Sequence, residues 1–587
     1  MMLQALIAYA ERENLGDPDF ETVGVRWLVP LDHKGRLAGS PIPLADNPDA
    51  KKPRPKPFPR PFTSPNELNQ GTKSHFLCDT LERCVLFLDP KMPEREEGRR
   101  VQHRYFQSLL EKAGVACPAE RPRLQAALEF LRDPAGVAEL RRQLSAARAK
   151  PSDNATFAVE GVNLLESPAL RQFWRDRRRR LGAQAGSRNP RICIATGELA
   201  ETLDTTEKIK GVPGGLATGT NLISFDKDSF CSFGLEQAQN AALSAPAELK
   251  IRSALNTLIA GSRSQGLVFN NTIHLHWTRQ PVQEDPFDLL ASADKNAVEA
   301  LLKSVQQGQP PVAFEANAYY ALSLSGNGAR IVVRDWLEST VPEVQRHVAE
   351  WFEDLGVIHQ DGQGTKRDFK FGALLYGMVR ADLEELAPAL PTQLLHGALR
   401  GRTVPLPQAA LAAALRRQQL DQENKLNPAR LALIKACLLR SPNSPNNNSQ
   451  TKDTAMTECL TPESRDPAYL CGRLFAVFDR LQYLALGGVN AGVVERYYAS
   501  ASTTPALVMG RLFRNAQFHL AKAEGGVATN VAKDFEAITC ALGDQFPATL
   551  DLEGQGRFAL GYYHQKAEYR RRTAERKEKE ITQEKKS

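Results

Sequence analysis

The sequence predicts an α+β chain of several domains: a mixed α/β N-terminal region, a mainly helical middle region and a C-terminal helical bundle. Three observations predict it. The 587 residues, 42% of them apolar, exceed what one core holds, because single cores stop growing near about 250–300 residues. Short apolar runs broken by glycine and proline, the pattern of strands and turns, concentrate in residues 1–333. From residue 334 onward apolar residues recur at three- and four-residue steps, the period of a helix.

Residues 1–14 read as a helix; Glu11, Arg12 and Glu13 follow its short apolar run directly, without a signal peptide's basic start and small-residue cleavage site. Residues 23–30 read as a strand, Asp32-His-Lys-Gly35 as a turn and residues 36–44 as the returning strand. Residues 51–65 carry Lys51, Lys52, Arg54, Lys56 and Arg60 among prolines. Proline lacks the donor that a helix interior or central strand needs, so this run is expected to be extended and exposed. A helix is expected to open at Phe76, and residues 99–150 show helical spacing at Leu109, Leu110 and Ala113, then Leu124, Leu128 and Leu131.

Residues 191–233 read as the most strand-like part, with strands at 192–195 and 222–225 flanking the loop Gly211-Val-Pro-Gly-Gly-Leu-Ala-Thr-Gly219. Helices follow at 341–354 and over most of 381–439. The tract Ser441-Pro-Asn-Ser-Pro-Asn-Asn-Asn-Ser-Gln450 buries too little apolar surface to offset its ordering entropy and reads as a linker. Beyond it, Leu470, Leu474, Val477 and Leu481, then Leu507, Leu512, Phe513, Phe518 and Leu520, mark helices of a bundle. The divisions are therefore 1–333, 334–440, a linker over 441–455, and 456–587, the last separable without cutting a core.

Nine cysteines without a Cys-x-x-Cys pair suit thiols kept reduced in a cytoplasm. His75, Cys78 and Cys84 match no zinc spacing, and no metal or cofactor is expected. No window approaches the roughly 18 apolar residues of a membrane span. The run Gln70-Gly-Thr-Lys-Ser74 lacks the upstream glycine and the Gly-Lys step of a phosphate loop. Nucleophile elbows and zinc-protease helices are missing as well. His274-Leu-His276 reads as a paired strand motif, and Asp226 with Asp228 as a polar turn. The chain thus reads as a non-enzyme.

A formal charge of +7 permits nucleic-acid binding without demanding it. Four segments suit it. Asn66, Asn69, Gln70, Gly71, Thr72, Lys73 and Ser74 crowd amide, hydroxyl and ammonium groups that pair with base edges. The run Arg171, Arg175, Arg177, Arg178, Arg179 and Arg180, beside Trp174, spreads guanidinium groups around a helix, joining Lys51, Lys52 and Arg54 as phosphate contacts. The glycine loop, with Lys208, Lys210, Gly214, Gly215, Thr218, Thr220 and Asn221, lets backbone approach a groove closely. In the bundle, Arg473, Arg480, Arg511, Arg514 and Lys522, with Arg496 nearby, form a basic set.

The order of several strings carries a resemblance. Met2-Leu-Gln-Ala-Leu-Ile-Ala-Tyr-Ala10, Val25-Arg-Trp-Leu-Val-Pro-Leu-Asp32 and Gly71-Thr-Lys-Ser-His-Phe-Leu-Cys-Asp79 open the chain. Cys193-Ile-Ala-Thr-Gly197, Lys208-Ile-Lys-Gly-Val-Pro-Gly-Gly215, Leu222-Ile-Ser-Phe225 and Phe233-Gly-Leu-Glu-Gln237 follow. Tyr469-Leu-Cys-Gly-Arg-Leu-Phe475, Arg496-Tyr-Tyr-Ala-Ser-Ala501, Arg511-Leu-Phe-Arg514 and Gly561-Tyr-Tyr-His-Gln565 close it. In this order the chain resembles the large subunit of the type I-C CRISPR surveillance complex, Cascade. It departs where relatives often carry alanine-glutamine-serine-serine, having Gly215-Leu-Ala-Thr218.

The resemblance implies a non-catalytic subunit that finds the protospacer-adjacent motif in target double-stranded DNA and helps start the R-loop while a crRNA guide reads the rest. It implies as partners the crRNA, the Cascade backbone and crRNA-processing subunits, and a recruited helicase-nuclease. It also implies a small subunit made from the C-terminal part of the same gene, for which Met456 is the candidate internal start. The alternatives are a stand-alone nuclease or nucleotide-dependent enzyme, and an assembly scaffold that does not touch DNA.

Overall fold

The computed structural model describes residues 1–17, 19–45, 54–63, 68, 71–89, 92–184, 190–225, 227–264, 267–282, 285–306, 317–421, 425–442, 456–489, 491–523, 525–544 and 546–584. Its class is α+β. Contacts divide it into two units, Met1–Glu207 with Ile223–Leu255, and Lys208–Leu222 with Asn256–Ser587.

In the first unit α1 (Met2–Arg12) precedes β1 (Phe20–Val25) and β2 (Trp27–Leu31). The expected turn forms after β2: the Asp32 carboxylate accepts from the Lys34 and Arg36 amides at 2.9 and 2.8 Å, and Gly35 takes φ +70°. The chain returns as β3 (Ile42–Pro43), antiparallel to β2. The proline-rich run becomes β4 (Lys56–Pro61), antiparallel to β1. It is extended as expected, and a two-stranded ribbon tolerates its prolines because an edge needs no second ladder. It is not wholly exposed, since Phe58 and Arg60 point inward.

The first core forms where β6 (Asn154–Val159) lies parallel to β2 and pairs on its other side with β5 (Asp79–Thr80), while β7 (Val162–Asn163) turns back on its end. No helix opens at Phe76. That ring is fully buried and stacks on Trp174 at 5.4 Å, and the next helix, α2, is only Leu81–Cys84. Three helices, α3 (Glu96–Ala116), α4 (Arg121–Arg132) and α5 (Pro134–Ala146), supply Phe106, Leu110, Phe130 and Leu140 to the same core, and α6 (Pro168–Gln184) adds Trp174.

The strand-like reading of residues 191–233 fails in extent. Among the described residues there, strands form only at β8 (Arg191–Ile192) and β9 (Leu199–Ala200); the other pairings, such as Ile209 with Thr220, are isolated bridges, and 222–225 is not a strand. After α7 (Ala245–Ser264), the main sheet of the second unit runs in chain order: β10 (Val268–Phe269), β11 (Thr272–Thr278), β12 (Ala318–Asn327) and β13 (Arg330–Thr340), all antiparallel. Strand β13 therefore occupies 334–340, where a helix was expected. Inside the β11–β12 connection lie α8 (Pro286–Ser292) and α9 (Lys295–Gln306).

Helix α10 (Val341–Leu355) begins where predicted, capped by Thr340, whose hydroxyl accepts from the Glu343 amide at 3.4 Å. A short ribbon, β14 (Val357–Ile358) with β15 (Thr365–Lys366), follows, then α11 (Phe371–Tyr376), α12 (Leu390–Arg400), α13 (Gln408–Leu420) and α14 (Pro428–Leu439). Trp351, Phe352, Leu431 and Ile434 centre this core. The bundle comprises α15 (Pro467–Leu486), α16 (Val493–Thr503), α17 (Pro505–Lys522), α18 (Gly526–Leu542) and α19 (Leu552–Glu584), closing over Phe475, Val477, Tyr498, Leu512 and Phe558.

The bundle is not cleanly separable at Met456. Tyr469, Ala559, Leu560 and Tyr563 belong to the core of α10 and α14. The Ile358 amide donates to the Glu458 carbonyl at 2.7 Å, and Arg367 grips the Glu458 carboxylate at 2.7 and 2.8 Å. Residues 443–455 of the expected linker lie outside the described residues. Among the described residues no helix is long and apolar enough to cross a membrane.

Candidate nucleic-acid interface

The glycine loop is built onto the tip of the β12–β13 hairpin. Its base closes through reciprocal backbone bonds between Ile209 and Thr220, at 2.8 and 2.9 Å, with both side chains buried. Four more backbone bonds stitch it to the hairpin: Gly326 amide to Pro213 carbonyl (2.7 Å), Leu216 amide to Gly328 carbonyl (3.2 Å), Asn221 amide to Ala329 carbonyl (2.8 Å) and Ile331 amide to Asn221 carbonyl (2.9 Å). Loop and hairpin thus behave as one backbone-rigid piece.

The glycines serve this internal contact. A Cβ on Gly326 would collide with the Gly215 backbone, and one on Gly215 with the Thr220 methyl. Gly214, at φ +73°, is exposed. Lys208, Lys210, Leu216 and Thr218 also face solvent, while Thr220 is turned inward and Asn221 is half-buried with its Oδ1 unpartnered. The Lys210 amide donates to Asn256 Oδ1 at 3.0 Å, which fixes the backbone but leaves the ammonium outward. The structure therefore brings together two lysines, one threonine and exposed backbone on a firm support.

Of the loop 66–74, Asn66, Asn69 and Gln70 lie outside the described residues, as do Lys51 and Lys52. Gly71 and Thr72 are exposed, Lys73 is half-buried, and Ser74 is fully buried. The adjoining His75 is buried too; its amide donates to Asp79 Oδ2 at 2.8 Å, and loss of hydration pulls its imidazole down to about 4. Arg54 is exposed.

Helix α6 uses most of its arginines internally. Arg175 pairs with Asp17 at 2.7 Å and lies over Phe20, Arg178 pairs with Asp19 at 2.9 Å and lies over Phe62, and Arg171 donates to the Leu165 carbonyl. Arg177 is half-buried beside Trp174. Arg179 and Arg180 are exposed, the former paired with Asp176 at 3.3 Å. The two strand histidines are internally used: His274 meets Ser323 Oγ at 2.8 Å and His276 meets Asp285 Oδ2 at 3.0 Å.

In the bundle Arg473 is buried and donates to Gln565 Oε1 at 3.0 Å and the Pro462 carbonyl at 3.2 Å. Arg480 is half-buried over the Tyr483 ring. Arg511, Arg514 and Lys522 are exposed on α17, and the sequence reading misplaced their neighbours: Leu507 and Phe518, expected in the core, are 79% and 65% exposed. Met509, Leu512 and Ala516 face inward instead. Leu507, Arg511, Arg514, Phe518 and Lys522 follow one another at four- and three-residue steps, one outward stripe that mixes apolar and basic groups. That spacing was visible, but periodicity alone does not say which of two apolar stripes faces in.

An aromatic ring flanked by guanidinium and ammonium groups suits a stacked base with its phosphates; the 208–222 loop suits duplex phosphate and groove edges. No curated protein matches the chain. Residues 6–570 match the family model described as CRISPR-associated protein (Cas_Csd1). With nearly its whole length matched, the chain belongs to the Cas_Csd1 family of CRISPR-associated proteins.

Proposed function

We propose that this chain is the non-catalytic, DNA-reading large subunit of a cytoplasmic type I-C Cascade, contacting the protospacer-adjacent motif in the target duplex and helping to open it for the crRNA. The observation that carries this reading beyond family membership is the 208–222 loop, whose Lys208, Lys210 and Thr218 are held outward by a backbone-bonded hairpin. A support that does not reorganise on binding conserves affinity for specific contacts. Gly71, Thr72 and Lys73 are the second contact segment in this reading. The α17 stripe takes the displaced strand without reading sequence, and cleavage belongs to a recruited helicase-nuclease.

A separately made small subunit starting near Met456 would expose Tyr469, Leu560 and Tyr563, so it needs a partner surface over that face. The test of the main proposal is the salt dependence of target-duplex binding by the assembled complex. Replacing Lys208 or Lys210 by alanine should lower the slope of log K against log salt by about one unit each. An unchanged slope for both variants would remove the loop from the interface.

A further inference from the structure

The charged cavity between α10 and α14 stands apart from every surface invoked above. It has a volume of about 850 Å³ and is walled by α10, α14 and the segment beginning at Met456. Most of its ions are satisfied. Arg367 holds Glu458 through both carboxylate oxygens, and Arg402 holds Asp354 at 2.7 Å and Glu353 at 3.0 Å. Lys303 and Glu299, both exposed, lie one turn apart on α9.

Two cations keep unmet bonding capacity. Lys435 is 2% exposed, yet among the described residues its ammonium has one hydrogen bond, to the Asp354 carbonyl at 2.8 Å, and no carboxylate within ion-pair range. Arg440 donates through Nε to Asp354 Oδ2 at 2.6 Å and through Nη1 to the Gly397 and Gly401 carbonyls at 2.7 and 3.1 Å, and lies over the Trp351 ring. Its buried Nη2 has no hydrogen-bond partner. A buried ammonium whose nearby acids, Asp354 and Glu458, are already held by arginines, and a buried orphan guanidinium nitrogen, are both costly. Both residues line the same open cavity, and an anion there would offset both costs at once.

We propose that this cavity binds the phosphate group of a small phosphorylated molecule, held by Lys435 Nζ and Arg440 Nη2. A phosphate brings several acceptor oxygens and up to two charges, enough to satisfy an ammonium and a guanidinium together. The volume lies within the range of small-molecule sites and leaves room beyond the phosphate. The rim carboxylate of Glu299 suits hydroxyls on the remainder of such a molecule.

Calorimetric titration of the full chain with inorganic phosphate and with adenosine monophosphate, at ionic strength matched by chloride, tests this. Saturable binding is expected, weakened about tenfold or more in Lys435→Met and several-fold in Arg440→Lys, which keeps the charge but loses the fork. Tighter binding of the nucleotide assigns the rest of the cavity to the organic part; equal or tighter binding of phosphate assigns the site to the free anion. Absence of saturable binding by either probe, or binding unchanged in well-folded Lys435→Met, overturns the proposal. Should both variants fail to fold, crystals of the unmodified chain soaked in selenate decide. An anomalous peak within hydrogen-bond distance of Lys435 Nζ and Arg440 Nη2 supports the site, and its absence overturns it.

Discussion

Gly326→Ala isolates the coupling between the glycine loop and its hairpin. Gly326 carries no positive φ, so alanine suits its backbone; the obstacle is the Gly215 backbone that the new methyl would strike. Separating them breaks up to four inter-segment backbone bonds, at Gly326, Leu216, Asn221 and Ile331. At about 1 kcal/mol net per bond the loop should loosen by roughly 2–4 kcal/mol. Amide exchange measures this directly: a 3 kcal/mol loss speeds exchange about a hundredfold at those four amides. Gly328→Asn is the control, because a side chain there meets nothing within 4 Å and asparagine tolerates its φ of +58°. Exchange in Gly326→Ala indistinguishable from the unmodified chain would refute the reasoning that glycine is required here for contact between loop and hairpin.

Other expectations follow from single contacts. Gly472 and Gly561 let α15 and α19 approach until a Cβ on either would strike the carbonyl of Phe558 or Tyr469. Alanine at either should destabilise the bundle by about 1–3 kcal/mol in urea titrations despite its better helix propensity. Burial lowers His274 to about 4 and His564 to about 3 from 6.5. Both are neutral when folded, so their stabilisation is complete above about pH 6.5 and is lost as pH falls toward 4. At pH 5 each costs about 2 kcal/mol, and a second-unit stability unchanged between pH 7 and 5 would contradict this. Arg473→Ala should cost about 1–3 kcal/mol in stability by stripping a buried network, whereas Arg514→Ala should leave the melting midpoint nearly unchanged and weaken single-strand binding; the reverse pattern would exchange their assignments.

The first hairpin was legible because Asp32 and Gly35 sit where a turn needs a side-chain acceptor and a left-handed residue. Helices such as α10 were legible because capping and period agree. The main sheet was not read, because helix was expected from residue 334; the signal present was Gly328, which opens the two-residue Gly328-Ala329 turn of β12–β13 at φ +58°. What residue types alone could not supply was partnership. Arg175 and Arg178 look like phosphate ligands until Asp17 and Asp19, more than 150 positions away, are brought against them. Likewise Arg473 and Arg514 are chemically identical in sequence, and only packing sends one inward and the other out.

The central claim, that this subunit reads a motif in duplex DNA, is tested most directly by competition binding with the assembled crRNA complex. Two duplexes share full complementarity to the guide, and one has its flanking motif scrambled. The account predicts a preference of about 1–3 kcal/mol for each base pair read, abolished in complexes assembled without this chain. Equal affinity for the two duplexes, or a preference that survives removal of the chain, would contradict it.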